Sequence, residues 1–358
     1  TLKASRLATT EEKCDKQCDV AQDFTPTIMA FDGDVPRYGV DTTESFTLPG
    51  NNSKEYRVRA IELDNNGQET TTIPIDEKKS GGESLPLSNL KPRKDYKFKV
   101  EETSGAQILN TLEKIVTTGD TGLVLWLRFN EDPSKSIMCE GDDNPSKTIC
   151  DYSGNSNHGI PQGGPQWLEP PQSGILDGAF KFDGTNDQVL IDNVSALNPD
   201  SVSVIAVVTN IDKYSEQQLV DKRLDGATYN LRLAGDGFYP LYVQFVILSS
   251  VQDYYHMTSD RLINNDIPYH IAGTFDHATG EVGIYLNGEP VTTYLDLVPV
   301  DTIGQIDRSV KSTSKLFIGN NSYGNANYFS GNMSEIFIFD RPLSAEEVNK
   351  YYLSTSGD

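Results

Sequence analysis

Tryptophan, histidine, methionine and cysteine are scarce in this chain of 358 residues, with two, four, four and four copies. No apolar run approaches the ~20 residues that a membrane helix needs, so no membrane span is expected. No stretch reads as a signal peptide, and the start at Thr1 suits a processed mature protein as well as a trimmed one. Positive charge is also short: 30 Lys and Arg stand against 52 Asp and Glu, a net charge of -22. This balance argues against nucleic acid and anionic membrane surfaces as partners, since both want Lys and Arg. The acidic balance suits a solvated surface, or one that collects divalent cations. Helical periodicity is nearly missing, apart from one short segment near the C-terminus.

The four cysteines fall in two local pairs, Cys14 with Cys18 and Cys139 with Cys150. A zinc site would bring two close CxxC pairs or His at ligand spacing, and none of His158, His256, His270 or His277 lies near a pair. Two local disulfides are the expectation, and with them an oxidising, extracellular or cell-surface setting. The Cys14–Cys18 ring is very small, so those two could instead pair with a neighbouring molecule. Sequons occur at Asn51, Asn193, Asn320 and Asn332. About four would arise by chance in a chain so rich in Asn, Ser and Thr, so they are compatible with secretion without supporting it.

What is abundant is strand signal. EYRVRAIEL, YKFKVEE, LVLWLRF, SVSVIAVV, LYVQFVIL, HIAGTF, EVGIYL and KLFIG recur between Gly, Pro and Asn clusters. An all-β chain of sandwiches follows. Residues 1–22 show no strand and read as an arm, either a flexible tail or a segment that docks on another subunit. Residues 23–119 form one unit and 120–358 a second. The last stretch, FSGNMSEIFIFDRPLSAEEVNKYY, changes period halfway. Met333, Phe337 and Phe339 are expected on one face of a doubly covered strand, with Ile336 and Ile338 on the other. Pro342 ends the ladder, and Ser344 with Glu347 predicts a capping box that opens a helix of about two turns.

In the first unit, Leu90 and Pro92 lead into Tyr96, and Thr117-Thr118 close the last strand. This pattern resembles a fibronectin type III domain, an immunoglobulin-like sandwich whose tyrosine corner bonds back to nearby backbone. The usual buried Trp of the early strands is absent. In the second unit, Phe129-Asn130, Asp151 to Asn155, Phe182-Asp183-Gly184, Tyr285 to Gly288, Ile318-Gly319, and Gly331 to Glu335 before Leu343 to Glu347 stand in one order. That order resembles the laminin-G-like, concanavalin-A-like jelly roll, in which the last strand lies beside the first. The fold class expected is therefore an immunoglobulin-like sandwich followed by a concanavalin-A-like jelly roll with a short C-terminal helix.

The resemblance also implies a Ca²⁺ site near the Phe-Asp-Gly turn. Asp183, Asn186 and Asp187 would supply ligands there, with Glu335 and Asn130 approaching. The family's Asp before that Glu is Ser334 here, and Asp183 with Asn186 equally suit an Asx turn. Glucanases of this fold need two carboxylates about 5 Å apart on one face, and the residue that would partner Glu335 is Phe339, so no catalytic residues are expected. Trp167, Tyr254 and Tyr255 are candidates for stacking on a sugar face, although a packing role suits them as well. The reading is a non-enzymatic binding or adhesion protein whose partner is a glycan or a cell-surface protein. The alternative is a filament subunit joined to copies of itself through the arm, and a carbohydrate-active enzyme is a third possibility.

Overall fold

The structure, a computed structural model, describes residues 45–48, 55–63, 68–87, 89–91, 94–105, 107–118, 120–130, 139, 146, 148–169, 178–211, 215–223, 228–236, 241–249, 253–262, 268–295, 298–299, 302–321 and 327–356. The arm, with Cys14 and Cys18, and the Asn51 sequon lie outside these residues. The chain divides into two units, Thr1–Thr121 with Tyr152–Ser156, and Gly122–Asp151 with Asn157–Asp358.

The first unit holds β1 (Ser45–Thr47), β2 (Glu55–Glu62), β3 (Ile75–Ser80), β4 (Ser84–Pro86), β5 (Asp95–Ser104) and β6 (Gln107–Thr117). They form an antiparallel sheet in the order β3-β2-β5-β6 and a separate β1-β4 pair. Alternation decides the faces. Tyr56, Val58 and Ala60 of β2 and Tyr96, Phe98 and Val100 of β5 are buried in one cluster. The intervening Arg57 and Arg59 stay on the wet face and pair with Asp76 and Glu101, both at closest approaches under 3 Å. The Tyr96 hydroxyl accepts the backbone N–H of Lys91 at 3.0 Å, the local bond anticipated from Leu90 and Tyr96.

The second unit runs β7 (Leu123–Leu127), β8 (Gly159–Gln162), β9 (Gln166–Leu168), β10 (Ala179–Asp183), β11 (Gln188–Ile191), β12 (Val202–Thr209), β13 (Ser215–Asp221), β14 (Tyr229–Asp236), β15 (Leu241–Leu248) and β16 (Asp253–Leu262). It continues with β17 (Tyr269–Phe275), β18 (Val282–Leu286), β19 (Glu289–Val291), β20 (Thr293–Leu295), β21 (Val298–Pro299), β22 (Leu316–Ile318), β23 (Ser330–Phe339) and the helix α1 (Ala345–Ser356). One sheet has the order β19-β18-β17-β12-β23-β10-β9, with β7 also paired to β23. The other has the order β21-β20-β16-β15-β14-β13-β22-β11-β8. Their inner faces share one core, with Phe180, Val204 and Ile271 from the first sheet and Leu231, Phe245 and Ile318 from the second. Burying each such side chain contributes roughly 1.5–3 kcal/mol. The all-β jelly roll is as expected, and the last strand does lie beside the first, with Phe337 opposite Trp126.

Turn chemistry follows the residues. Asn287 and Gly288, at φ 50° and 81°, join β18 to β19, the double positive-φ turn that Asn-Gly favours between twisted strands. Cys139 and Cys150 form the expected disulfide, with Cα atoms 5.2 Å apart. Two expectations need correction. In β23, Val207 of β12 stands opposite Glu335 and Val208 opposite Met333, so Ser334 is an extra, bulged residue. A bulge resets the alternation. Met333 therefore joins Ile336 and Ile338 in the core between the sheets, while Phe337 and Phe339 pack on the outer side against Tyr351 of α1, centroids 5.1 and 5.2 Å away. The helix is also longer than two turns, at 12 residues. Its capping box is as anticipated: the Ser344 N–H donates to Glu347 Oε2 at 2.8 Å and the Glu347 N–H to Ser344 Oγ at 3.2 Å.

Candidate functional site

The outer face of the nine-stranded sheet carries polar side chains where solvent-facing strands usually carry scattered charges. In β14, Tyr229, Leu231 and Leu233 face the core, so Asn230 and Arg232 face away from it. In β15, Val243, Phe245 and Ile247 face the core, so Tyr242 and Gln244 face away. Register sets these strands side by side, with Arg232 opposite Gln244 and Gln218 of β13 opposite Arg232.

The side chains form one connected network. Arg232 donates from Nε to Gln244 Oε1 at 2.6 Å and from Nη1 to Glu216 Oε1 at 2.7 Å. Gln218 Nε2 and Asn327 Nδ2 donate to the same Glu216 oxygen at 3.1 and 2.8 Å. Asn230 Nδ2 donates to Gln218 Oε1 at 2.6 Å. Asn327 is itself clipped in place, since its carbonyl accepts the Gln218 N–H at 3.0 Å. Gln218 and Asn230 are fully buried, and a buried polar group is costly unless it is paired; the Gln218 amide and the Asn230 amide nitrogen are so held, while Asn230 Oδ1 has no partner among the described residues. Its open end is the Glu216 side chain, 34% exposed. The second carboxylate oxygen of Glu216 receives no hydrogen bond from the described residues. Tyr242, half-buried, lies two residues before Gln244 on the same face.

Arg232 and Gln244 are buried as well, so this arrangement presents the Glu216 carboxylate, Asn327 and the half-buried Tyr242 ring outward. It can hydrogen-bond adjacent hydroxyls and stack against an apolar ring face. The network comprises one carboxylate, one guanidinium and four amides, which supplies no paired acid and nucleophile.

The aromatic residues singled out in the sequence divide between the sheets. Tyr254 and Tyr255 lie in β16, next to β15, with Tyr255 opposite Val246, so their strand borders the polar face. Trp167 lies in β9, at the edge of the other sheet, and packs against the core. None of the network residues stood out in the sequence. The available signal was polar residues at alternate positions of three consecutive strands, in SEQQLVD, YNLRLAGD and LYVQFVIL.

Of the anticipated calcium ligands, Asp183, Asn186 and Asp187 share one turn, and Glu335 and Asn130 lie away from it. Asp183 lies opposite Ser330 in β23. Glu335 is five residues further along that strand, about 17 Å at ~3.3 Å per residue. Glu335 accepts the Trp126 indole N–H at 3.1 Å instead. Asn130 lies beside Gly178, the residue before β10, whereas Asp183 is the last residue of β10. Within the turn, the Asp183 carboxylate accepts the N–H groups of Thr185 and Asn186, and Asp187 Oδ2 accepts the Asp183 N–H. The bonds to the Asp183 side chain are those of an Asx turn, and the Asp187 bond closes the turn from its far side. Burial pushes the Asp187 carboxyl above the ordinary aspartate range. No group of three or more His, Cys, Asp or Glu suited to a metal occurs among the described residues.

Two sequons sit where a glycan would not fit. Asn320 and Asn332 are buried, and Asn320 Nδ2 already donates to Gln188 Oε1 at 2.9 Å. Asn193 is exposed, and its Nδ2 donates to the Ser312 carbonyl at 3.3 Å.

A concavity of about 450 Å³ lies between the β17–β18 hairpin and the start of α1, with Asp276, Glu281, Tyr285 and Glu347 in its wall. Two of its carboxylates have local tasks. Asp276 accepts the Ala278 N–H and the Thr279 hydroxyl. Glu347 caps α1 and holds Arg341 at 2.7 Å.

Residues 183–349 match the family described as the concanavalin A-like lectin/glucanases superfamily. No curated protein matches the chain. Among solved structures, domain 4 of AbnA, a GH43 extracellular arabinanase from Geobacillus stearothermophilus solved with arabinotriose, is 15% identical. The match covers 64% of this chain and 98% of that one, with a TM-score of 0.45. The binding domain of Paraclostridial mosquitocidal protein 1 is 18% identical over 65% of this chain and 52% of that one, with a TM-score of 0.42. A botulinum neurotoxin type C structure, from work on its interaction with two ganglioside molecules, is 13% identical over 65% and 51%, with a TM-score of 0.44. The chain thus spans about half the length of the two toxin chains.

Proposed function

We propose that the second unit is a glycan-binding module of an extracellular or cell-surface adhesion protein, and that it binds without catalysis. The observation that carries this reading is the Glu216 network on the outer face of the nine-stranded sheet. Three donors hold one carboxylate oxygen, the other stays open, and Tyr242 lies on the same face. A site whose groups are locked before the ligand arrives loses little ordering entropy on binding. The match to a superfamily of lectins and glucanases agrees with a carbohydrate ligand. The Cys139–Cys150 disulfide agrees with an oxidising compartment. The first unit, read as a fibronectin type III-like spacer, is supported by the Tyr96–Lys91 corner.

Calcium enters this reading through the Asp183–Asp187 turn alone. A cation there would offset the cost of ionising the buried Asp187. The glycan reading is tested by screening the full chain on a glycan array beside Tyr242→Ala and Gln244→Ala. Binding by the parent that both substitutions abolish supports it, and binding that neither changes places the ligand elsewhere.

A further inference from the structure

We infer that Glu216 makes the site selective for uncharged glycans and rejects sialylated or sulfated ones; this rests on the glycan reading of the same face. An anionic sugar needs an uncompensated cation or a cluster of free donors to replace its hydration. Among the described side chains the site offers the opposite. Arg232 is held by Glu216 at 2.7 Å and by Gln244 at 2.6 Å, so its charge is neutralised inside the network. Arg223, the next arginine along these strands, lies 3.4 Å from the fully buried Asp221. Lys222 between them is itself fully buried, and its ammonium is bound to Asn193 Oδ1 and the Ser314 carbonyl, both at 2.7 Å.

What the network leaves open is one Glu216 oxygen, an acceptor carrying negative charge. It can accept a hydrogen bond from a hydroxyl of a neutral sugar, or from the ammonium of an amino sugar. A carboxylate or sulfate placed there meets like charge, with the chain's net charge of -22 behind it. Replacing Glu216 by Gln removes the charge of the open position and turns its acceptor into a donor. The amide oxygen can still accept from Arg232, Gln218 and Asn327, while the amide nitrogen now presents a donor where the acceptor stood.

The test is a titration of the full chain and of Glu216→Gln with matched pairs of oligosaccharides that differ only in a sialyl or sulfate group. The neutral member is expected to bind the parent at least ~10-fold more tightly, and Glu216→Gln to shrink that ratio by a similar factor. Raising salt should also shrink the parent's ratio, because screening weakens repulsion. Equal or tighter binding of the anionic member by the parent overturns the inference while leaving the glycan reading in place. If neither member of any pair binds, the glycan reading itself fails. Should Glu216→Gln not fold, the parent's ratio and its salt dependence decide alone.

Discussion

Glu335 and Trp126, on neighbouring strands, are joined by an indole N–H to carboxylate bond of 3.1 Å. Trp126 stacks on Phe337 at 5.6 Å, and the Arg128 guanidinium lies 5.3 Å above its ring. Glu335 thus orients the indole that covers the outer side of β23 and is not directed at the Asp183 turn. Glu335→Ala should destabilise the second unit by roughly 1–3 kcal/mol, since a buried donor loses its partner. The loss should be the same with and without EDTA in thermal melts; a loss seen only with calcium present would make Glu335 a ligand after all.

The Asp183–Asp187 turn gives the calcium test. Because burial raises the folded-state pKa of Asp187, stability is lost as the pH rises from the ordinary aspartate value through the folded one, and the ionised group opposes folding above it. A bound cation would relieve this, so calcium should raise the melting temperature at pH 7 and lose that effect near pH 4. Asp187→Asn should remove the calcium gain. A melting temperature unchanged by EDTA at pH 7 rejects calcium at this turn.

Arg308 is buried and donates to the carbonyls of Thr228, Leu248 and Pro199 at 3.0–3.1 Å, and it stacks over Phe275 at 5.6 Å. It ties the ends of β14 and β15 to the turn before β12. Desolvation lowers its pKa to about 10. Arg308→Met should cost about 2–4 kcal/mol in denaturant unfolding, and Lys should not restore it, because one ammonium cannot reach three carbonyls in this geometry. Recovery by Lys would show that charge alone matters there.

Glu347 illustrates an acid-dependent term. Its hydrogen bond to Arg341 holds the carboxyl below its ordinary value of 4.5. The contribution is present above that value and is lost as the pH falls through the lower folded-state value. The stability gap between the parent and Glu347→Gln should be constant near neutrality and close on acidification. A gap that widens in acid contradicts the assignment.

Particular residues show what could be read in advance. The capping box of Ser344 and Glu347, the Asn287-Gly288 hairpin and the Cys139–Cys150 bridge follow local rules, and each is where its residues placed it. Met333 was misplaced because a bulge at Ser334 arises from pairing with β12, and strand alternation carries no mark of it. The Glu216 network was invisible for a related reason. Gln218, Asn230, Arg232 and Gln244 read as ordinary outward positions until register places them side by side. Glu335, one of the metal ligands implied by family likeness, is set apart from the Asp183 turn by distance along β23, a quantity that depends on how β10 is registered against it.

The central claim is that this face of the nine-stranded sheet holds the ligand. The most direct measurement is amide chemical-shift mapping of the isotope-labelled chain during titration with a neutral oligosaccharide. The account predicts that perturbed amides cluster at Glu216, Gln218, Arg232, Tyr242, Gln244 and Asn327. Perturbations gathered around Trp167 in β9, or in the wall containing Tyr285 and Glu347, would contradict it.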